Sequence, residues 1–75
     1  MDKYIWAEAQ NSDVEIKSIM ATSFNNAEEK IIEKYTTEFE EDDSFADIFD
    51  WEELSYHLYS EYGICLSKLE IIDEL

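Results

Sequence analysis

The sequence predicts one α+β domain, residues 1–75, in which helices pack on one face of a small antiparallel sheet. Apolar residues alternate near the N-terminus, recur at helical spacing in the middle of the chain and alternate again near the C-terminus. The predicted order is therefore β-β-α-α-β. A chain of 75 residues has room for one core, and its 45% hydrophobic content is sufficient to build it.

The N-terminal part of the chain predicts a β-hairpin. Residues 3–9 contain β-favouring Tyr, Ile and Trp and predict the first strand. Residues 14–23 predict the second strand, and the polar residues 10–13 between them predict a short turn and antiparallel pairing. The apolar residues that share one face of the second strand are Val14, Ile16 and Met20.

A first helix is predicted over residues 27–39. Asn26 stands in the N-cap position and Glu29 follows three residues later, as in a capping box. Apolar residues then recur at every fourth position and define the buried face of this helix: Ala27, Ile31, Tyr35 and Phe39.

Residues 40–44 predict a loop, and two helical starts follow it. Ser44 with Asp47 forms a possible cap for a short helical turn, and Asp50 with Glu53 forms one for the second helix. The apolar register changes at Asp50, which predicts a break there.

The second helix is predicted to end at Gly63, which fits the position after a helix C-terminus. Residues 64–72 then predict the third strand. The buried stripe of the second helix consists of Trp51, Leu54, Leu58 and Tyr62.

The densest charge of the chain lies in residues 38–53, which hold nine carboxylates in sixteen positions. No basic residue occurs between Lys34 and Lys68. Aromatic residues such as Phe39 and Phe49 lie among the acids, whereas a disordered acidic tail lacks them, so we expect a folded acidic surface. The nine carboxylates are Glu38, Glu40, Glu41, Asp42, Asp43, Asp47, Asp50, Glu52 and Glu53.

The formal net charge of the chain is −15, from twenty acidic residues and five Lys. Self-repulsion of this size opposes the compact state and is relieved by salt or by a cationic partner. A generally acidic proteome from a salty habitat is the alternative explanation, although it does not account for the clustering. Nucleic acid and anionic lipid both repel such a chain, so we expect neither direct nucleic-acid binding nor membrane binding.

We expect no enzyme activity, no cofactor and no dedicated metal site, because the chain has one His, one Cys and one Gly. A calcium loop starting at Asp42 matches at its ends, but Ala46 cannot ligate and Asp47 replaces the required glycine. Loose binding of divalent ions stays open. His57 is interpreted as a rim histidine, and Cys65 as a buried, inert thiol.

Tyr56 is predicted on the outer face of the second helix, opposite its apolar stripe. Glu52 and Glu53 are its neighbours there, and an exposed aromatic ringed by carboxylates is typical of an interface anchor. An ordinary exposed tyrosine is the equal alternative.

Size, charge and the aromatic-laced acidic block of residues 38–53 resemble the small acidic phage-type proteins known as DNA mimics. The resemblance is one of class, without a family motif, and the class shares no single fold. It implies an inhibitor that occupies the nucleic-acid-binding surface of a basic host protein, such as a nucleoid protein, a restriction or CRISPR nuclease, or a repair enzyme. The expected partner-binding residues are the nine carboxylates together with Tyr56.

An immunity protein or antitoxin that neutralises one basic toxin, such as a nuclease, uses the same charge logic and is the alternative. Cytoplasmic localisation is expected, because Cys65 has no disulfide partner within the chain and no signal peptide or apolar span is apparent. Eleven aromatic residues exceed what a core this small buries comfortably, and a symmetric homodimer along a strand edge or the last helix would bury the surplus. Repulsion between two chains of charge −15 opposes this homodimer.

Overall fold

The computed structural model describes residues 1–72 and has the predicted α+β architecture, with a four-stranded antiparallel sheet and two helices. The elements, in chain order, are strand β1 (Asp2–Gln10), strand β2 (Asp13–Ala21), helix α1 (Phe24–Glu38), a 3₁₀ helix (Asp43–Asp47), helix α2 (Trp51–Tyr62), strand β3 (Cys65–Leu66) and strand β4 (Glu70–Ile72).

The hairpin of β1 and β2 is regular along its whole length, from the pair Asp2↔Ala21 to the pair Gln10↔Asp13. Asn11 and Ser12 connect the strands, and both have positive φ angles, of 51° and 73°. A two-residue hairpin turn whose twist matches that of the flanking strands requires positive φ at both residues, as found here. The predicted turn and antiparallel pairing are therefore confirmed.

Strand β1 lies in the centre of the sheet, between β2 on one side and both β3 and β4 on the other. The third strand predicted over residues 64–72 is thus two short strands. Between them, the three residues 67–69 lie opposite only two residues of β1, Trp6 and Ala7. An extra residue on one of two paired strands is a β-bulge. Because of this interruption, Leu69 turns into the core and is only 2% exposed.

Helix α1 begins three residues earlier than the capping pattern predicted. Ser23 is the N-cap, and its Oγ accepts a hydrogen bond of 3.1 Å from the backbone N–H of Asn26. The Asn26 side chain in turn accepts from the N–H of Thr22 at 3.1 Å. Asn26 therefore occupies the third helical position, where a capping box has Glu or Gln, but its side chain bonds the N–H before the N-cap rather than that of the N-cap itself.

Both helices cover the same face of the sheet, and the core lies between the two layers. Tyr4 and Trp6 of β1 are buried there against the predicted faces of α1 and α2. Phe39 is partly buried at the end of α1. The predicted face of β2 is turned away from the helices: its three apolar residues, Val14, Ile16 and Met20, are exposed.

Helix α2 is capped at both ends as predicted. Asp50 accepts a hydrogen bond of 2.8 Å from the N–H of Glu53, and Gly63 follows the helix with a φ of 67°. The preceding 3₁₀ helix is capped by Asp42 rather than by Ser44. Within residues 1–72, no helix is both long and apolar enough to cross a membrane.

Candidate partner-binding surface

The acidic residues predicted to bind a partner lie almost entirely on the molecular surface. Eight of the nine carboxylates in residues 38–53 are exposed, and Asp42 is partly buried. They extend from the end of α1, through the loop and the 3₁₀ helix, into the first turn of α2. We name the exposed eight the acidic surface: Glu38, Glu40, Glu41, Asp43, Asp47, Asp50, Glu52 and Glu53.

Half of the acidic surface borders an open cleft between the 3₁₀ helix and α2, with a volume of about 530 Å³. Ile48, Tyr56 and His57 also line this cleft, which we name the Tyr56 cleft. Tyr56 is 72% exposed, as its predicted place on the outer face of α2 requires. The carboxylates at its border are Asp47, Asp50, Glu52 and Glu53.

The carboxylates at the end of α1 border a second depression, of about 360 Å³. Glu38, Glu40 and Glu41 lie around the rings of Phe39 and Tyr62, which stack with centroids 4.4 Å apart. This stacking fixes the chain as it leaves α1, so these three acids follow a packed segment rather than a loose loop.

Asp42 joins the two depressions, because it borders the second one and contacts His57 of the Tyr56 cleft. One of its carboxylate oxygens lies 2.8 Å from His57 Nε2 and accepts a hydrogen bond of 2.7 Å from the Tyr62 hydroxyl. Its other oxygen accepts from the N–H of Ser44 at 2.9 Å. The hydrogen bonds from His57, Tyr62 and Ser44 hold the pKa of the Asp42 carboxyl far below its usual value.

Asp42 is therefore a charged anchor between the 3₁₀ helix and α2, and its side chain is only 20% exposed. Its role in partner binding stays a prediction, and three of the roughly four acceptor positions of its carboxylate are used within the chain. The bond to Asp42 likewise raises the pKa of Tyr62. Sequence spacing gave no signal of the Asp42–His57 pair, because fifteen positions separate the two residues.

His57 is more enclosed than the predicted rim histidine, with 16% of its side chain exposed. Its ring meets Phe45 edge-on, with centroids 4.9 Å apart. Phe45 lies within the acidic segment, but it is 2% exposed, so it belongs to the core and cannot contact a partner. Phe49, in contrast, is 77% exposed and remains available beside the acids.

The cationic side chains with described contacts form their ion pairs and ring contacts outside the acidic surface. Lys17 forms ion pairs with Glu8 at 3.5 Å and Glu15 at 3.4 Å, on the strands. Lys34 lies over the Trp6 ring, 5.9 Å from its centroid. Within residues 1–72, no Lys forms an ion pair with the acidic surface, although Glu38 at its edge interacts electrostatically with Lys17. Most of the charge of the acidic surface therefore faces solvent.

Two further sequence-based expectations concern chemistry. Cys65 is exposed, because the register of β3 places it beside Ala9 on the uncovered face of the sheet; the predicted burial of its thiol is wrong. Among the described residues, no group of three or more His, Cys, Asp or Glu side chains could hold a metal ion.

Comparisons with protein-family models, with curated proteins and with solved structures found no match for this chain.

Proposed function

We propose that this chain is a DNA-mimic inhibitor, whose acidic surface occupies the nucleic-acid-binding surface of a basic protein. The observation that supports the proposal is the exposure of eight carboxylates along one connected stretch without a pairing Lys. Proteins that bind nucleic acid present Lys and Arg to phosphates, and most of their non-specific affinity comes from those contacts. A surface of exposed carboxylates offers such proteins the negative charge of phosphates but no base edges.

The helical parts of the acidic surface set the spacing of its charges. Residues three or four apart on a helix have Cβ atoms about 5–6 Å apart. Asp50, the N-cap of α2, and Glu53, in its first turn, are three positions apart. This interval is comparable to the phosphate spacing along a strand. Because the backbone that carries the carboxylates is already ordered, partner binding restricts only their side chains, which limits the entropic cost of association.

The Tyr56 cleft suits a Lys or Arg side chain of the partner. Ile48 and Tyr56 provide apolar surface for the aliphatic stem, and Glu52 and Glu53 lie close enough to the mouth to meet the charged head. A cation over the Tyr56 ring also gains from the ring quadrupole. Tyr56 is therefore the proposed anchor, and the surrounding acids are the ionic rim.

The experiment that tests the proposal starts with pull-downs from a bacterial lysate at low and at high salt. A captured partner is then mixed with labelled duplex DNA and increasing amounts of this protein. The proposal expects the protein to displace the DNA without binding DNA itself, and to lose affinity steeply as salt rises. A partner that binds DNA and this protein independently and at the same time contradicts the proposal.

A matched pair of charge variants then tests which surface is used. Glu40→Gln/Glu41→Gln removes two charges from the acidic surface, and Glu29→Gln/Glu33→Gln removes two from an exposed face of α1. We expect the first variant to weaken partner binding more and to flatten its salt dependence more. A larger loss in the α1 variant would show that another face binds the partner.

The Tyr56 cleft also supports the alternative of an immunity protein or antitoxin. A shaped cleft with an exposed aromatic favours one cognate partner, because pocket contacts discriminate between targets that share the same charge. Capture of one basic toxin, without capture of other proteins that bind nucleic acid, would favour this alternative over a DNA mimic.

A further inference from the structure

The face of the sheet opposite the helices is apolar, and no described element covers it. The register of β1 and β2 places alternate residues of both strands on this face, with Ala7 opposite Ile16 and Ala9 opposite Val14. Val14 and Ile16 are each 67% exposed, and Met20 is 47% exposed. We name this surface the outer sheet face; its principal apolar members are Ile5, Ala7, Val14, Ile16 and Met20.

Charge is nearly balanced on the outer sheet face, although the chain as a whole carries −15. The registers place Lys3 and Glu70 there, and these are the only Lys, Asp or Glu among the strand residues of that face within the described chain. Their charges are of opposite sign, whereas the acidic surface lies on the helix side. A basic partner therefore has no electrostatic reason to choose the outer sheet face.

A second copy of the chain can approach this face with little repulsion. Two sheets pack face to face about 10 Å apart, and each helix layer lies roughly 10 Å behind its sheet. The acidic surfaces of the two copies are then roughly 30 Å apart, against a Debye length of about 8 Å at physiological ionic strength. The repulsion between them is largely screened, which removes the main objection to self-association of so acidic a chain.

We propose that the outer sheet face binds the same face of a second copy, as a two-fold symmetric dimer. Nine-residue strands and three strand widths give a footprint of about 30 Å by 14 Å, or roughly 400 Å² on each copy. Interfaces of this size are at the weak, reversible end of the range. The dimer therefore forms with a dissociation constant on the order of micromolar or weaker. It requires no target protein, so it stands or falls independently of the proposed function.

Strand β2 offers a competing mode of self-association, since its outer edge is unpaired among the described residues. Edge pairing would extend the sheet but leave the apolar residues of its outer face exposed. Cys65 distinguishes the two modes. Its place on the outer sheet face means that face-to-face packing covers its thiol, whereas pairing along β2, on the far side of β1, leaves the thiol open.

Sedimentation velocity over a range from about 5 µM to 1 mM tests the dimer, with Ile16→Lys as the main variant and Tyr59→Lys as its control. Both changes reduce the net negative charge by one, and Tyr59 is 63% exposed on α2. Net repulsion alone would make both variants associate more. We expect Ile16→Lys to weaken the dimer at least roughly tenfold, because a buried ammonium loses its hydration, and Tyr59→Lys to leave it intact.

Thermal unfolding checks that each variant is folded, and Val14→Lys replaces Ile16→Lys if that variant is not. In the unsubstituted protein, the rate at which a disulfide reagent modifies Cys65 should fall as the dimeric fraction rises with concentration. A sedimenting species near 8.9 kDa at every concentration overturns the proposal. So does a dimer in which Cys65 reacts at the monomer rate or which Ile16→Lys leaves unchanged.

Discussion

Replacing Asp50 tests how much of the acidic segment supports the fold rather than a partner. Its side chain accepts a hydrogen bond of 2.8 Å from the N–H of Glu53 and so satisfies one free donor of α2. Asp50→Ala removes the charge and the cap, whereas Asp50→Asn removes the charge and keeps an acceptor of equal capping strength. The two variants therefore separate the hydrogen bond from the charge.

The expected loss for Asp50→Ala is about 1 kcal/mol, the usual cost of removing an N-cap. In a domain of this size it lowers the melting temperature by about 4–8 °C. The loss stays limited because Glu28 of α1 independently accepts a hydrogen bond of 2.9 Å from the N–H of Trp51, the first residue of α2. Asp50→Asn should lower the free energy of unfolding by no more than a few tenths of a kcal/mol, because it loses only the favourable interaction of a negative charge with the helix dipole.

Thermal unfolding followed by circular dichroism, at low protein concentration and 0.15 M salt, measures these differences. Asp47→Ala is the matched control, because Asp47 borders the same cleft and no described residue hydrogen-bonds to its side chain. It should match or exceed the unsubstituted protein in melting temperature. Equal melting temperatures for Asp50→Ala and Asp50→Asn would refute the argument that capping dominates at this position.

Three further predictions follow from single contacts. Tyr56→Ala should leave the melting temperature nearly unchanged, yet speed dissociation from the partner about tenfold in stopped-flow measurements; an unchanged rate would remove Tyr56 from the interface. Because the pKa of Asp42 is lowered in the folded protein, its carboxylate stabilises the fold at pH values above its usual pKa of 3.8, and this stability is lost as pH falls below 3.8. Asp42→Asn should therefore make the melting temperature depend less on pH in the acid range. Burial and the hydrogen bond donated to Glu8 raise the pKa of Tyr35 above its usual 10.0, so its protonated hydroxyl stabilises the fold until pH rises well above 10.0. In Tyr35→Phe, the melting temperature should therefore fall less steeply as pH rises.

Local signals in the sequence predicted the fold where the determining contacts lie close along the chain. The hairpin turn, the cap at Asp50 and the helix end at Gly63 each depend on residues within three or four positions. The start of α1 was misplaced because Ser23 and Asn26 are both good capping residues, and only the backbone decides which one precedes the helix.

Contacts between distant residues explain the remaining errors. The predicted strand over residues 64–72 is interrupted by a bulge, which lets Leu69 complete a core formed by elements far away in sequence. Because the bulge shifts the alternation of side chains, Cys65 lies on the outer sheet face, whereas Leu69 lies on the core face. Likewise, Asp42 resembles its acidic neighbours in the sequence, and only the approach of α2 to the 3₁₀ helix distinguishes it through His57 and Tyr62.

The proposed dimer and the proposed inhibitor make opposite demands on salt. Partner binding through the acidic surface weakens as salt rises, whereas face-to-face packing of apolar sheets persists and loses its residual repulsion. In the dimer, the two acidic surfaces lie roughly 30 Å apart and face opposite directions. They cannot enter one groove together, so a dimer must bring two partner molecules into one complex. Light scattering at concentrations above the dimer dissociation constant should therefore give a 2:2 complex, and Ile16→Lys should reduce it to 1:1 without changing the affinity of each acidic surface.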